Sequence, residues 1–408
     1  MTSIEQRFNR LSTDSAPGQE LRQGALDVDM ATLRGPTLPG PPVDFSHGDV
    51  DADAFAPTPG AFEAFAEGVR RGGEQAYTEY RGAGALRELV AGRLASFTQH
   101  PVSAERELII TPGTQGALFL ALGSTVAAGD KVVIVRPDYF ANRKIVEFLG
   151  GVPVYADLAY LDRSDGAGLD LSQLESAFRD GAKVFLFSNP NNPTGVVYSS
   201  AEIQAIAELA NRHGVTVVAD QLYSRLRYDG TGYTHLRAAG IDADHVMTIM
   251  GPSKTESLSG YRLGVAFGAP KLIERMEKLQ AIVSLRAPGY CQAVLSTWFA
   301  EPGGWLEERI AHHQAIRDRL LAVLREVEGV RARTPQAGSY LFPRLPALAP
   351  SLSAFLSILR VQAGVTVTAG SEFGVNATDN VRLNFSQNAD AAMQAIGRMA
   401  LLIERYRA

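Results

Sequence analysis

The chain is predicted to adopt an α/β fold: a mostly parallel sheet between helical layers, followed by a smaller α+β domain. Three observations predict it. Short, unbroken Val/Ile runs recur, as in Lys131-Val-Val-Ile-Val135 and Val215-Thr-Val-Val218. They alternate with stretches of helical periodicity, and strands buried on both faces read as continuous apolar runs. Over about the last eighty residues the pattern changes to short strands mixed with helices.

Residues 1–45 read as an arm. A short helical stretch is followed by Gly35-Pro-Thr-Leu-Pro-Gly-Pro-Pro42, whose prolines fix φ and remove backbone donors. Residues 61–71 and 84–99 have amphipathic helical spacing. Leu108-Ile-Ile-Thr111 is a strand ending at Pro112-Gly113, and 115–127 is a helix. The strand 131–135 leads through Pro137 into a helix ending near Leu149, and 152–155 is a short strand. The strand 183–187 runs into Ser188-Asn-Pro-Asn-Asn-Pro-Thr-Gly195; a helix over 201–213 follows, then strands at 215–218, 245–249 and 262–267. Helices dominate 270–328, and strands are expected at 339–342, 365–368 and 381–385. The division expected is an arm over 1–45, a large domain over 46–300 and a small one over 301–408 packed with the N-terminal segment.

With 408 residues, 46% of them apolar, the chain can bury a large core. A net charge of -5 without a Lys/Arg stripe argues against a nucleic-acid partner. The longest apolar stretch, around 117–128, is broken by Gly123 and is too short to span a bilayer. The mixed-charge start does not resemble a signal peptide. Cys291 is the only cysteine, so neither an intrachain disulfide nor a cysteine metal site can form. No metal site is expected, and a cytoplasmic location is.

The chemistry is carried by a few motifs. In Gly251-Pro-Ser253-Lys254-Thr-Glu-Ser-Leu-Ser-Gly-Tyr-Arg262-Leu-Gly264, one of only six lysines sits among small hydroxyl and glycine residues. Lysine forms Schiff bases with aldehydes, and the arginine fork suits a phosphate. Together they point to a phosphorylated aldehyde cofactor, pyridoxal phosphate (PLP). Thr111-Pro-Gly113-Thr114-Gln115-Gly116 joins a strand to a helix N-terminus, which is either an anion cradle or an ordinary glycine turn. Asn189-Pro-Asn-Asn192-Pro-Thr-Gly195 is a rigid turn after an apolar strand. Asp220-Gln-Leu-Tyr223 puts an acid at a strand end: a partner for a pyridine nitrogen, or a helix cap with a packed tyrosine. Arg382, inside the apolar strand Val381-Arg-Leu-Asn-Phe385, needs a partner, either a substrate carboxylate or an internal acid.

These motifs, with Tyr77-Thr-x-x-x-Gly82-x-x-x-Leu86-Arg87 and Pro137-Asp-Tyr139, resemble the class I/II aminotransferases, fold-type I PLP enzymes, in order and spacing over about residues 43–390. The resemblance implies that Lys254 holds the cofactor and then moves a proton. Asp220 would pair with the ring nitrogen, and Asn192 and Tyr223 would bond the phenolic oxygen. Tyr139 would stack on the ring. Gly113, Thr114, Gln115, Ser253 and Arg262 would hold the phosphate, and Tyr77 would reach the phosphate of a neighbouring subunit, making a homodimer with shared sites. Arg382 would bind the substrate α-carboxylate, with Asn192 and Gly48 in the same pocket. Arg286 lies in a segment that approaches the partner's site in the family, where it would bind a distal carboxylate or remain structural. Glu256, Asp49 and Glu79 would instead favour a basic side chain. Three positions depart from the family pattern: Gly251, where serine is common; Gln221, where glutamate is usual; and Glu256, where an apolar residue is common. The expected function is transfer of an amino group from an L-amino acid to a 2-oxo acid by a ping-pong route through pyridoxamine phosphate. A PLP-dependent lyase, cyclase or oxidase on the same scaffold is the alternative.

Overall fold

The computed structural model describes residues 3–9, 28 and 32–408. Most of the expected arm lies outside the described residues. Its described part includes a helix, Ser3–Asn9, whose Phe8 ring meets Phe148 edge-on at 5.9 Å.

Numbering strands along the chain, β1 is Val43–Asp44, β2 Leu108–Pro112, β3 Lys131–Arg136, β4 Val152–Asp157, β5 Val184–Ser188 and β6 Thr216–Asp220. Then follow β7 Val246–Met250, β8 Leu263–Gly268, β9 Tyr340–Leu341, β10 Val365–Thr366, β11 Thr368–Ala369 and β12 Val381–Asn384. The main sheet has seven strands in the order β2-β8-β7-β6-β5-β3-β4. Only β8 runs against its neighbours; the pairs from β7 through β6, β5 and β3 to β4 are all parallel. Val132, Val133, Phe185, Leu186, Val217 and Val218 are wholly buried, as the apolar runs require of a sheet covered on both faces.

Apolar clusters line both faces of this sheet, while a separate core gathers Val43, Phe45 and Phe55 with helices Trp305–Glu326, Leu352–Ala363 and Ala389–Tyr406. β1 pairs with β10, so the N-terminal segment is built into that second core. A helix at Leu171–Arg179, capped by the Asp170 side chain, was not anticipated by the sequence reading. Among the described residues no helix is long and apolar enough to cross a membrane.

Candidate active site

The main sheet places its chemistry at one edge. β2, β3, β5, β6 and β7 end there, and the reversed β8 begins there. In such sheets the ligand crevice lies beyond the carboxyl ends of the strands. Thr114 and Gln115 follow β2, Tyr139 follows β3 and Asn192 follows β5. Asp220 closes β6, Ser253 and Lys254 follow β7, and Arg262 precedes β8. These side chains, with Ser46, Gly48, Tyr223, Tyr340 and Arg382, line one cavity of about 310 Å3.

At one end of the cavity the backbone closes tightly around Arg262. Gly113 has φ +76°, and a Cβ there would lie 2.4 Å from the Arg262 guanidinium. A Cβ on Gly264 would meet the Gly113 carbonyl carbon and the Thr114 nitrogen at 2.4 Å. Only glycine permits that approach. It brings the N-terminus of helix Gly113–Thr125 beside Arg262, which itself adopts φ +52°. Helix N–H groups and a guanidinium together make an anion cradle.

Along the cavity, Tyr139 Oη donates to Gln115 Oε1 at 3.1 Å. Asp220 Oδ1 accepts from the Leu222 N–H at 3.0 Å, and burial pushes its carboxyl up to about 6. A carboxylate so enclosed gains from a cationic partner. Tyr223 Oη donates to Tyr340 Oη at 2.8 Å. Lys254 Nζ donates to the Gly48 carbonyl and, at 3.3 Å, to Asp49 Oδ1. Burial acts to raise the Asp49 carboxyl, but the Lys254 charge and the Ser259 hydroxyl, 2.6 Å away, hold it below the ordinary range.

At the far wall Arg382 is buried in β12. Its Nη1 donates to Asn192 Oδ1 at 3.2 Å and its Nη2 to the Ser46 carbonyl at 3.2 Å. The guanidinium lies 4.3 Å from the Tyr340 ring centre and 4.6 Å from that of Phe373. Its Nε is buried without a hydrogen-bond partner, and among the described residues its terminal nitrogens bond an amide oxygen and a backbone carbonyl rather than an acid. The internal acid weighed from sequence is therefore absent among them, and a bidentate anion is what this fork lacks.

Tyr77 and Arg286 do not line this cavity. They sit together: the Arg286 guanidinium lies 3.5 Å from the centre of the Tyr77 ring, and Tyr77 is 73% exposed. Glu256 and Glu79 are also elsewhere. Glu256 is buried against Arg225, and Glu79 pairs with Arg87. Asp49 alone of the three acids reaches the site. Sequence reasoning missed Tyr340, Ser188 and Asp138. Asp138 and Ser188 carry only the weak signal of polar residues at strand ends, and Tyr340 carries none.

Comparisons with known proteins identify the family. The family model described as aminotransferase class I and II matches residues 41–397. The chain belongs to the class I and II aminotransferases. A crystal structure of an aspartate aminotransferase from Rhodobacter sphaeroides is 62% identical, with TM-score 0.93, each chain covered over 100% of its length. The aspartate aminotransferase of Sulfurisphaera tokodaii is 29% identical over 370 residues, 89% of this chain and 90% of that protein. That of Sulfolobus acidocaldarius is 30% identical over 342 residues, 82% of this chain and 84% of that protein. This aminotransferase is a PLP-dependent enzyme that transfers an amino group from an L-amino acid to a 2-oxo acid; a lyase, cyclase or oxidase is not favoured.

The residues fit the cofactor. The glycine-lined cradle has the space and charge for a phosphate, and a Cβ would fill it. Asp220 offers a buried carboxylate to a ring cation, Tyr139 an aromatic face, Lys254 an amine, and Arg382 an unsatisfied donor for a carboxylate. Among the described residues no metal-ligating cluster occurs.

Proposed function

We propose that this aminotransferase works as a homodimer on dicarboxylic substrates, an aspartate-type amino donor and a 2-oxo acid, with the following division of labour. PLP, when bound, supplies an electrophilic carbon and an electron sink. Lys254 carries it and, once released, moves the substrate Cα proton on its Nζ. Asp220 holds the ring nitrogen protonated. Asn192 and Tyr223 bond the phenolic oxygen, and Tyr139 packs on the ring. Gly113, Thr114, Gln115, Ser253 and Arg262 hold the phosphate. Arg382 orients the α-carboxylate, beside Asn192 and Gly48.

The observation that carries the dicarboxylic reading is the position of Arg286. The cavity's own cations, Lys254, Arg262 and Arg382, are committed to the cofactor and the α-carboxylate, so a distal carboxylate needs another. Arg286 is held by the Thr78 carbonyl and by the Tyr77 and Tyr80 rings, next to exposed Ile282, Val283 and Leu285. An exposed apolar patch of this kind fits a protein interface. There Tyr77 and Arg286 serve the site of a second copy: Tyr77 its phosphate, Arg286 its substrate. The similarity to an aspartate aminotransferase from Rhodobacter sphaeroides supports the same substrate class. We read 1–45 as an arm, 46–300 as the cofactor-binding domain and 301–408 as the small domain, a division supported by the separate second core. A cytoplasmic location belongs to the same proposal and is supported by the single cysteine, Cys291.

The test is steady-state transamination by the PLP-loaded protein with 2-oxoglutarate and a panel of L-amino acids, alongside its mass in solution. Aspartate should be preferred over alanine, and Arg286→Ala should remove roughly 10- to 100-fold of kcat/KM for aspartate, the worth of one charge-assisted contact, while sparing alanine. Equal losses for both donors, or a fully active monomer, would defeat the reading.

A further inference from the structure

Asp138 lies between the sheet edge and the cavity, 2% exposed, and no role in the chemistry above requires it. Its carboxylate is nonetheless a hub. Oδ1 accepts from the Tyr139 N–H at 2.7 Å and from the Ser188 hydroxyl, and Oδ2 accepts from the Ser188 N–H at 3.0 Å. The Ser188 oxygen in turn accepts from the Asn192 N–H at 3.1 Å, and the Asn192 side chain accepts from Arg382. A second route leaves from the backbone. The Asp138 N–H donates to the Phe373 carbonyl at 3.0 Å, and the Phe373 ring lies under the Arg382 guanidinium. Two chains of contacts, one on each side, thus start at a single residue and end on the same guanidinium.

We propose that Asp138 is a positioning residue that aims the Arg382 carboxylate clamp at the cofactor wall, acting through Ser188 and Asn192. The proposal rests on the assignment of Arg382 as that clamp. The physical case is that a buried carboxylate with three donors on two oxygens has little freedom to move. It fixes the Ser188 hydroxyl as a donor to itself, so that the same oxygen must accept from Asn192. The backbone of Asn192, from which its side chain reaches Arg382 with Oδ1, is thereby anchored. Burial, with a smaller contribution from Asp220, pushes the Asp138 carboxyl up to about 7 even against these donors, so its place in the fold is maintained at an electrostatic cost. Asparagine at this position keeps the shape but presents an N–H to one of the three donors. Alanine at 188 cuts the first chain and leaves Asp138 in place.

The experiment uses the PLP-loaded protein and the variants Asp138→Asn, Ser188→Ala and the double variant. Propionate, an inert carboxylate that needs no distal cation, is titrated by its effect on the cofactor absorbance, and PLP binding to the cofactor-free chain is measured separately. The expected result is propionate affinity weakened ~10-fold in each single variant, the loss of one well-aimed charge-assisted contact, with PLP affinity changed less than about 3-fold. The double variant should be no worse than the weaker single, because both act on one chain. Unchanged propionate affinity, fully additive losses, or an equal loss of PLP affinity would overturn the proposal. If Asp138→Asn does not fold, Ser188→Ala alone must show the propionate effect. If Arg382→Lys leaves wild-type propionate affinity intact, the clamp assignment has failed rather than the inference built on it.

Discussion

Arg225 follows Tyr223 by two positions and Glu256 follows Lys254 by two, and the two residues meet under the site. Replacing Arg225 with methionine tests what that junction contributes. Its Nη1 donates to Glu256 Oε1 and, at 2.7 Å, to Glu301 Oε1; its Nη2 donates to Glu301 Oε2 at 2.9 Å. The guanidinium also lies 4.1 Å from the centre of the Phe299 ring. The side chains of Arg225 and Glu256 are 7% and 1% exposed, and that of Glu301 is 7% exposed. Removing the shared cation strands two enclosed acids. The cost of breaking a buried pair is about 3–5 kcal/mol, and the upper part of that range applies because three charge-assisted bonds go at once. The loss depends on pH. Burial already pushes the Glu256 carboxyl up to about 7 with Arg225 beside it. A carboxyl raised in the fold contributes stability below its unfolded value of 4.5 and loses it as pH rises through about 7. Without Arg225 both acids escape the penalty by taking up protons, so the variant should be close to wild type near pH 5 and lose the full amount by pH 8. Urea unfolding of the PLP-loaded protein at the two pH values reads this directly. A loss below about 1 kcal/mol at pH 8, or the same loss at both, would refute the argument that the triad is a charge junction rather than packed volume.

Three further outcomes are expected. Gly113→Ala forces an L-residue into a left-handed backbone, at about 1–2 kcal/mol, and drives a methyl group into Arg262, so PLP titration of the cofactor-free chain should show affinity down roughly ten-fold or more with secondary structure unchanged. Lys254→Ala should retain no cofactor after borohydride reduction and lose on the order of 10²–10⁴-fold in turnover, the worth of a placed proton carrier. His313 is stacked on Phe55 and bonded to the Arg309 carbonyl and the Ser386 hydroxyl, and burial pushes its imidazole down to about 3. Its share of stability is therefore complete above pH 6.5 and lost as pH falls towards 3, so His313→Asn should flatten the acid limb of the stability profile between pH 6 and 4 while lowering stability at pH 7.

The sheet was legible because strands buried on both faces leave an apolar run that needs no long-range knowledge, as at Lys131–Arg136 and Thr216–Asp220. Thr114, Asn192, Asp220 and Lys254 were legible because each lies at or just past the end of such a run, whereas Arg382 stood out as a charge inside one. Helix Leu171–Arg179 was missed although its signals are present: Asp170 caps the Ser172 and Gln173 N–H groups, and Leu174, Ala177 and Phe178 form the buried stripe. The loop-like Asp162-Arg-Ser-Asp-Gly-Ala-Gly168 before it masked them. Asp138, Ser188 and Tyr340 were illegible for a different reason. Their meaning lies in pairings across 50 and 117 residues, Asp138 with Ser188 and Tyr340 with Tyr223, which no single-sequence period encodes.

The three departures from the family pattern acquire a common explanation once their neighbours are known. A Cβ at Gly251 would lie 2.8 Å from Thr114 Cγ2, so the serine hydroxyl missing there is the counterpart of a threonine methyl pressed against the same spot. Gln221 is buried and its Oε1 meets the His235 ring nitrogen at 3.0 Å. Burial holds that imidazole down to about 4, so a neutral amide is the matching partner and a glutamate would bring an unbalanced charge. Glu256 is matched by Arg225 and Glu301. In each case the unusual residue is matched by a neighbour, Thr114 in the cavity wall or His235, Arg225 and Glu301 outside it, and none of the three departures itself lines the cavity. These departures therefore do not carry substrate choice. On the function proposed above, choice rests with Asp49 beside Lys254 and with Arg286 of a second copy, and exchanging these two, not the three departures, should move the donor preference.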